Sequence, residues 1–156
     1  MTTPTIEVEI DEPAWTQAAP NAVALVEQAA RATLKAALPA VEGNLVALLT
    51  SDAELQRLNA RFRGKDQPTN VLSFPAASNP EDHLGDIALA YGVCAAEAVA
   101  QGIPLADHLR HLTAHGVLHL LGYDHQIDSE AEAMEALERR ILEGLGVADP
   151  YAGEGD

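Results

Sequence analysis

The run His115-Gly-Val-Leu-His119-Leu-Leu-Gly122-Tyr-Asp-His125 constrains this chain more than any other stretch. Apolar residues interleave with histidines four apart, so the segment predicts a helix with both imidazoles on one face and Cβ atoms about 5–6 Å apart. Gly122 supplies the left-handed turn that ends a helix and swings the chain back. A third imidazole, His125, then approaches the same point from the other side. Three neutral histidines without a fourth protein ligand leave an open position, as in a catalytic rather than a structural zinc site. Such an ion lowers the pKa of bound water toward ~7.

A blander reading competes with this one. His108 and His111 fall on the same stripe, and His111 with His115 is a second i, i+4 pair, so the face also reads as a polar groove. The helix stop and the third histidine at the right reach favour the metal. His108 and His111 are then neighbours that support the ligands, and His83 is expected in solvent. The spacing matches the zinc-peptidase pattern H-E-x-x-H-x-x-G-x-x-H at every position but the second, where Gly116 replaces the general-base glutamate. A zincin-like metal cleft is therefore expected without the group that hydrolyses peptides.

Around this run the hydrophobic periodicity alternates between strand and helix. Ile6, Val8 and Ile10 alternate with acids as a half-buried strand, and Pro13 and Pro20 bracket a connection. A helical stripe runs from Asn21 to near Pro39. Leu45 to Leu49 reads as a strand, Ser51 with Glu54 as a capping box for a helix to about Asn59, and Phe62 to Asn70 as a loop. Val71 to Phe74 and Asp86 to Tyr91 read as strands flanking an exposed, mobile loop. Val93 to Gln101 and Pro104 to Leu121 read as helices. Ser129 with Glu132 reads as the cap of a last helix that buries Met134, Leu137, Ile141 and Leu145. Four strands and about five helices in mixed order give an α/β (α+β) fold, a single domain over residues 1–150 with a frayed tail at 151–156.

Net charge −15 on 156 residues repels nucleic acid at long range, so an RNA or DNA partner must meet a local basic patch. Arg57, Arg61, Arg63 and Lys65 put four of the nine bases into nine residues. Arg57 and Arg61 read equally as the solvated face of a helix end. The single Cys94 excludes an internal disulfide and reads as an inert core thiol. Met1 to Ile10 lacks the basic and apolar regions expected of a signal peptide, and no apolar run approaches the ~20 residues of a membrane span. A soluble, cytoplasmic protein is expected.

Three stretches resemble the bacterial YbeY family of metal-dependent endoribonucleases: Phe62-Arg-Gly-Lys-Asp-Gln-Pro-Thr-Asn-Val-Leu-Ser-Phe74, Leu84-Gly-Asp-Ile87 and the His115–His125 run. The helix Glu130–Glu138 and Asp149-Pro-Tyr151 are similar too. The resemblance spans about 50 to 151 in order and spacing. It implies a small mixed sheet flanked by helices, with one Zn2+ per chain in a cleft, held by His115, His119 and His125. It implies Arg63 as the functional arginine beside the metal, and work in 16S rRNA 3′-end maturation and ribosome quality control. The implied partners are ribosomal RNA and the small subunit, with ribosomal proteins or assembly GTPases, and no membrane.

The residues supply a mechanism for that expectation. Arg63 holds a phosphate through a planar fork, which Lys does less specifically. Arg57, Arg61 and Lys65 are candidates for substrate backbone contacts. Asp124 and Asp86 are each a partner for a histidine or water, or else a turn and a strand anchor. A histidine-only site also accepts nickel, cobalt or iron. Two other functions compete. One is a non-catalytic ribosome-assembly binding protein with a structural metal, docking through its acidic C-terminal helix. The other is a metallopeptidase with a different base, which Gly116 argues against.

Overall fold

A computed structural model describes residues 4–37, 43–77, 82–123 and 128–151. His125 and Asp124 therefore lie outside the described residues, as do 78–81 of the expected mobile loop and 152–156 of the expected tail.

The elements in chain order are β1 (Thr5–Ile10), α1 (Ala14–Ala18), α2 (Ala22–Ala37), β2 (Asn44–Thr50), α3 (Asp52–Arg63), β3 (Val71–Pro75), β4 (His83–Ala90), α4 (Tyr91–Gln101), α5 (Leu105–Leu120) and α6 (Asp128–Gly144). The four strands form one mixed sheet in the order β1-β2-β4-β3. β1 and β4 each run parallel to β2, with Val8 opposite Ala47 and Ala47 opposite Ile87. β3 runs antiparallel to β4 at the edge, with Ser73 opposite Ile87. Parallel neighbours need a crossover, which α2 provides between β1 and β2.

Period-2 alternation divides the sheet's two faces. Leu45, Ala47, Leu49, Ile87 and Leu89 pack with α2 and α5 in the principal core. Leu72, Ala88 and Ala90 pack on the other face with Leu55 of α3. Met134, Leu137 and Ile141 of α6 close over Ala114 and Leu118 of α5. The apolar stripe expected for the last helix is thus its buried face. Among the described residues no helix is long and apolar enough to cross a membrane.

Among the described residues there are six helices where the sequence suggested about five. The additional one is α1, between two prolines, too short to show a period. Trp15 anchors it: the ring is fully buried and its Nε1–H donates to the Thr50 carbonyl at 3.1 Å. α3 runs to Arg63, four residues past the expected stop. Ser51 caps it, accepting from the Glu54 N–H at 3.2 Å, and Gly64 ends it in the left-handed region at φ +69°. Glu54 pairs with Arg57 rather than completing the box. α6 begins at Asp128, so Ser129 lies inside the helix. Tyr151, expected in a frayed tail, is tied to the body of the protein, as described below.

Candidate metal centre

α5 positions the site because it lies unusually close to the sheet. A Cβ built on Gly116 would stand 3.2 Å from methyls of both Ile87 and Val71 and 3.4 Å from Ser73 Oγ. The Ser73 hydroxyl donates to the Gly116 carbonyl at 2.9 Å, tying edge strand β3 to the helix. The position that carries a glutamate in the peptidase pattern is therefore packed against the sheet. One residue before it and three after, His115 and His119 stand half-buried on the wall of a cavity of about 580 Å³.

Both histidines face the same point. Their ring centroids are 4.6 Å apart and their Nε2 atoms 3.1 Å apart. Two nitrogens on a tetrahedral zinc ion, each at ~2.0–2.1 Å, stand about 3.3 Å apart. The described pair thus fits such an ion to within a few tenths of an ångström. Neutral imidazole is also the donor chemistry that zinc, nickel and cobalt accept. Among the described residues no group of three metal-ligating side chains converges. The third expected donor, His125, is outside them.

Arg63 comes to the same cavity from the last turn of α3. Its Nη2–H donates to the Ser73 carbonyl at 3.0 Å, which holds the exposed guanidinium over β3. Thr69, Asn70, Val71, Ser73, Pro75, Gly122 and Tyr123 complete the described walls, and none is acidic. Gly122, at φ +97°, makes the expected helix stop. Arg57, Arg61 and Lys65 do not line the cavity. Arg57 is ion-paired to Glu54, Arg61 lies 5.1 Å above the centre of the Phe62 ring, and Lys65 is exposed.

The other histidines take separate places. His108 is buried and its Nε2 lies 2.9 Å from Glu97 Oε1, so it links α5 to α4 and not to the cavity. His83, expected in solvent, sits between Asn44 and Asp86, with Nδ1 2.5 Å from Asn44 Oδ1. Asp86 is exposed on the sheet face opposite Ser73, so it reaches no cleft histidine.

The residue that sequence reasoning missed is Glu138. It passes for one of the acids on an exposed helix face, yet it is fully buried. His115 Nδ1 lies 2.6 Å from its Oε1 and His111 Nε2 3.2 Å from its Oε2, and the Tyr151 hydroxyl donates to Oε2. Burial by itself would raise the Glu138 pKa. Hydrogen bonds from His111 and then His115 outweigh it and hold the carboxyl down at about 2. A signal was available: Glu138 stands among Met134, Leu137, Ile141 and Leu142, inside the apolar stripe of α6.

A family model described as Endoribonuclease YbeY matches residues 5–146. A protein of that name from Maricaulis maris is 51% identical over 149 residues, covering 96% of this chain and 92% of its own. One from Paramagnetospirillum magneticum is 52% identical over 161 residues, covering 96% and 98%. The solution structure of TM1509 from Thermotoga maritima is similar with a TM-score of 0.62 at 25% identity, covering 97% of this chain and 99% of that one.

Proposed function

The chain belongs to the YbeY endoribonuclease family, and from that premise we propose that it cuts single-stranded RNA with the help of a divalent metal ion. Its work in this reading is 16S rRNA 3′-end maturation and ribosome quality control. One observation carries the reading: Arg63, His115 and His119 surround one cavity whose described walls hold no acid, in a chain of net charge −15. A phosphodiester is negative at every linkage, so it can approach such a body only where the acids are absent and a base is present.

His115 and His119, with His125, hold the ion, which is zinc or another metal that imidazole accepts, such as nickel. When bound, it offsets the charge that develops on a phosphoryl oxygen. The rest falls to the chain's own groups. Arg63 spends one N–H on the Ser73 carbonyl. Guanidinium has five N–H donors in a fixed fork, so donors remain for two phosphate oxygens at once. The bond to Ser73 fixes the side chain before substrate arrives, so little freedom is lost on binding. Arg57, Arg61 and Lys65, outside the cavity, take flanking backbone phosphates. The small ribosomal subunit, with a ribosomal protein or assembly GTPase, presents the RNA.

The test is cleavage of a labelled RNA spanning the 3′ end of precursor 16S rRNA by wild type, His119→Ala and Arg63→Ala, with metal content measured for each. Cleavage by wild type alone, stopped by a chelator, is the expected result. Equal cleavage by all three would overturn the reading. No cleavage by metal-loaded wild type, with or without small subunits, would favour a non-catalytic assembly factor.

A further inference from the structure

A carboxylate in an apolar interior is costly unless its oxygens are used. Those of Glu138 are used by three donors from two parts of the chain: His111 and His115 on α5, and Tyr151 beyond α6. An ionised carboxylate only accepts hydrogen bonds. It therefore keeps the His115 proton on Nδ1 and leaves the lone pair on Nε2, the nitrogen that faces His119. Which imidazole nitrogen is available to a ligand is set by the bond the other one makes.

Tyr151 is fixed in its turn. Its ring meets His111 edge-on at 5.6 Å between centroids, the Arg139 guanidinium lies 5.2 Å over the ring, and its N–H donates to Asp149 at 2.8 Å. The route from Tyr151 through Glu138 to His115 is thus continuous, and every member is held by a neighbour.

We propose that Glu138 is a positioning residue for His115, fixing its tautomer and ring orientation for metal binding, and that Tyr151 holds Glu138 in place for that task. The proposal rests on the reading of His115 and His119 as metal ligands. Carboxylates that orient a ligating histidine commonly govern affinity by about 10–100-fold.

The test uses the full chain and reads zinc affinity by competition with a chromogenic chelator, for wild type, Glu138→Gln and Tyr151→Phe. In the metal-free proteins, nitrogen NMR of the imidazoles reads the His115 tautomer. The expected result is Nδ1–H in wild type, loss of that preference in Glu138→Gln, and zinc binding weakened about 10–100-fold there. Tyr151→Phe should weaken zinc binding by a smaller factor while the fold, followed by circular dichroism, is retained. If Glu138→Gln does not fold, Tyr151→Phe decides alone. Wild-type zinc affinity and an unchanged His115 tautomer in the variants would overturn the proposal. A wild type that binds no zinc would overturn the metal reading itself, and the tautomer in the same sample would still show whether Glu138 orients the ring.

Discussion

The Arg63 guanidinium and the Ser73 carbonyl are 3.0 Å apart, and this bond joins the end of α3 to the edge strand β3 across the mouth of the cleft. The same Ser73 donates its hydroxyl to Gly116 on α5. One residue of β3 thus connects the candidate phosphate clamp with the helix that carries the candidate metal ligands.

Arg63→Ala is expected to lower the cleavage rate by about 100- to 1000-fold, the usual effect of removing a charge-stabilising donor from a reacting centre. Arg63→Lys keeps the charge and loses the fork, so it should recover only a part of that loss. Single-turnover cleavage at saturating enzyme checks both. Stability should fall by only about 1 kcal/mol, because the guanidinium is exposed and the loss is its one hydrogen bond to the Ser73 carbonyl.

Zinc should stabilise the folded chain. At 100 times its dissociation constant a ligand that binds only the native state adds about 2.7 kcal/mol. Thermal melts with added zinc, and again after chelation, should therefore differ by several degrees. His119→Ala is expected to lose most of that shift.

Gly116→Ala is expected to destabilise the protein by about 1–3 kcal/mol through overpacking. Its Cβ would meet the Ile87 and Val71 methyls, both at 3.2 Å. A shift of the urea midpoint without a change in slope would show that the native packing alone is affected. An unchanged midpoint would mean that β3 yields easily.

Cys94 should resist alkylation at pH 8 in the native protein and react on unfolding. Burial, and then the charges of Glu97 and Asp52, push its thiol far above the ordinary range. The unfolded thiol loses its proton near pH 8.5 while the folded one keeps it. The unfolded state then binds fewer protons, so stability falls as pH rises above that point. Cys94→Ala should flatten this part of the profile, measured by urea unfolding between pH 8 and 10.

RNA binding should weaken steeply between low and physiological salt, since phosphate contacts release counterions. Arg61→Ala and Lys65→Ala should each reduce the slope of log affinity against log salt by about one if these side chains touch backbone phosphates. Filter binding over a salt series measures it.

The first strand and the long helices were legible because each shows its own period. Ile6, Val8 and Ile10 alternate, and Leu25, Val26, Ala29 and Ala30 recur along one buried face. The meeting of His115 with His119 was legible too, because helical spacing is local. The placement of Arg63 beside them followed from family resemblance and not from spacing, since it depends on how α3 packs against β3. Trp15 and α1 were not legible, because five residues show no period and the partner, Thr50, is 35 residues away. Glu138 was missed for a related reason. Its acidity suggested solvent, and only its tertiary partners make a buried carboxylate tolerable.

The order of the chain bears on when the site exists. Glu138 follows His115 by 23 residues, and Tyr151 follows Glu138 by 13. His111 and His115 are therefore synthesised before Glu138 and Tyr151, the residues that contact them. If Glu138 and Tyr151 hold His115 as proposed, the chain gains that hold only once it extends to Tyr151.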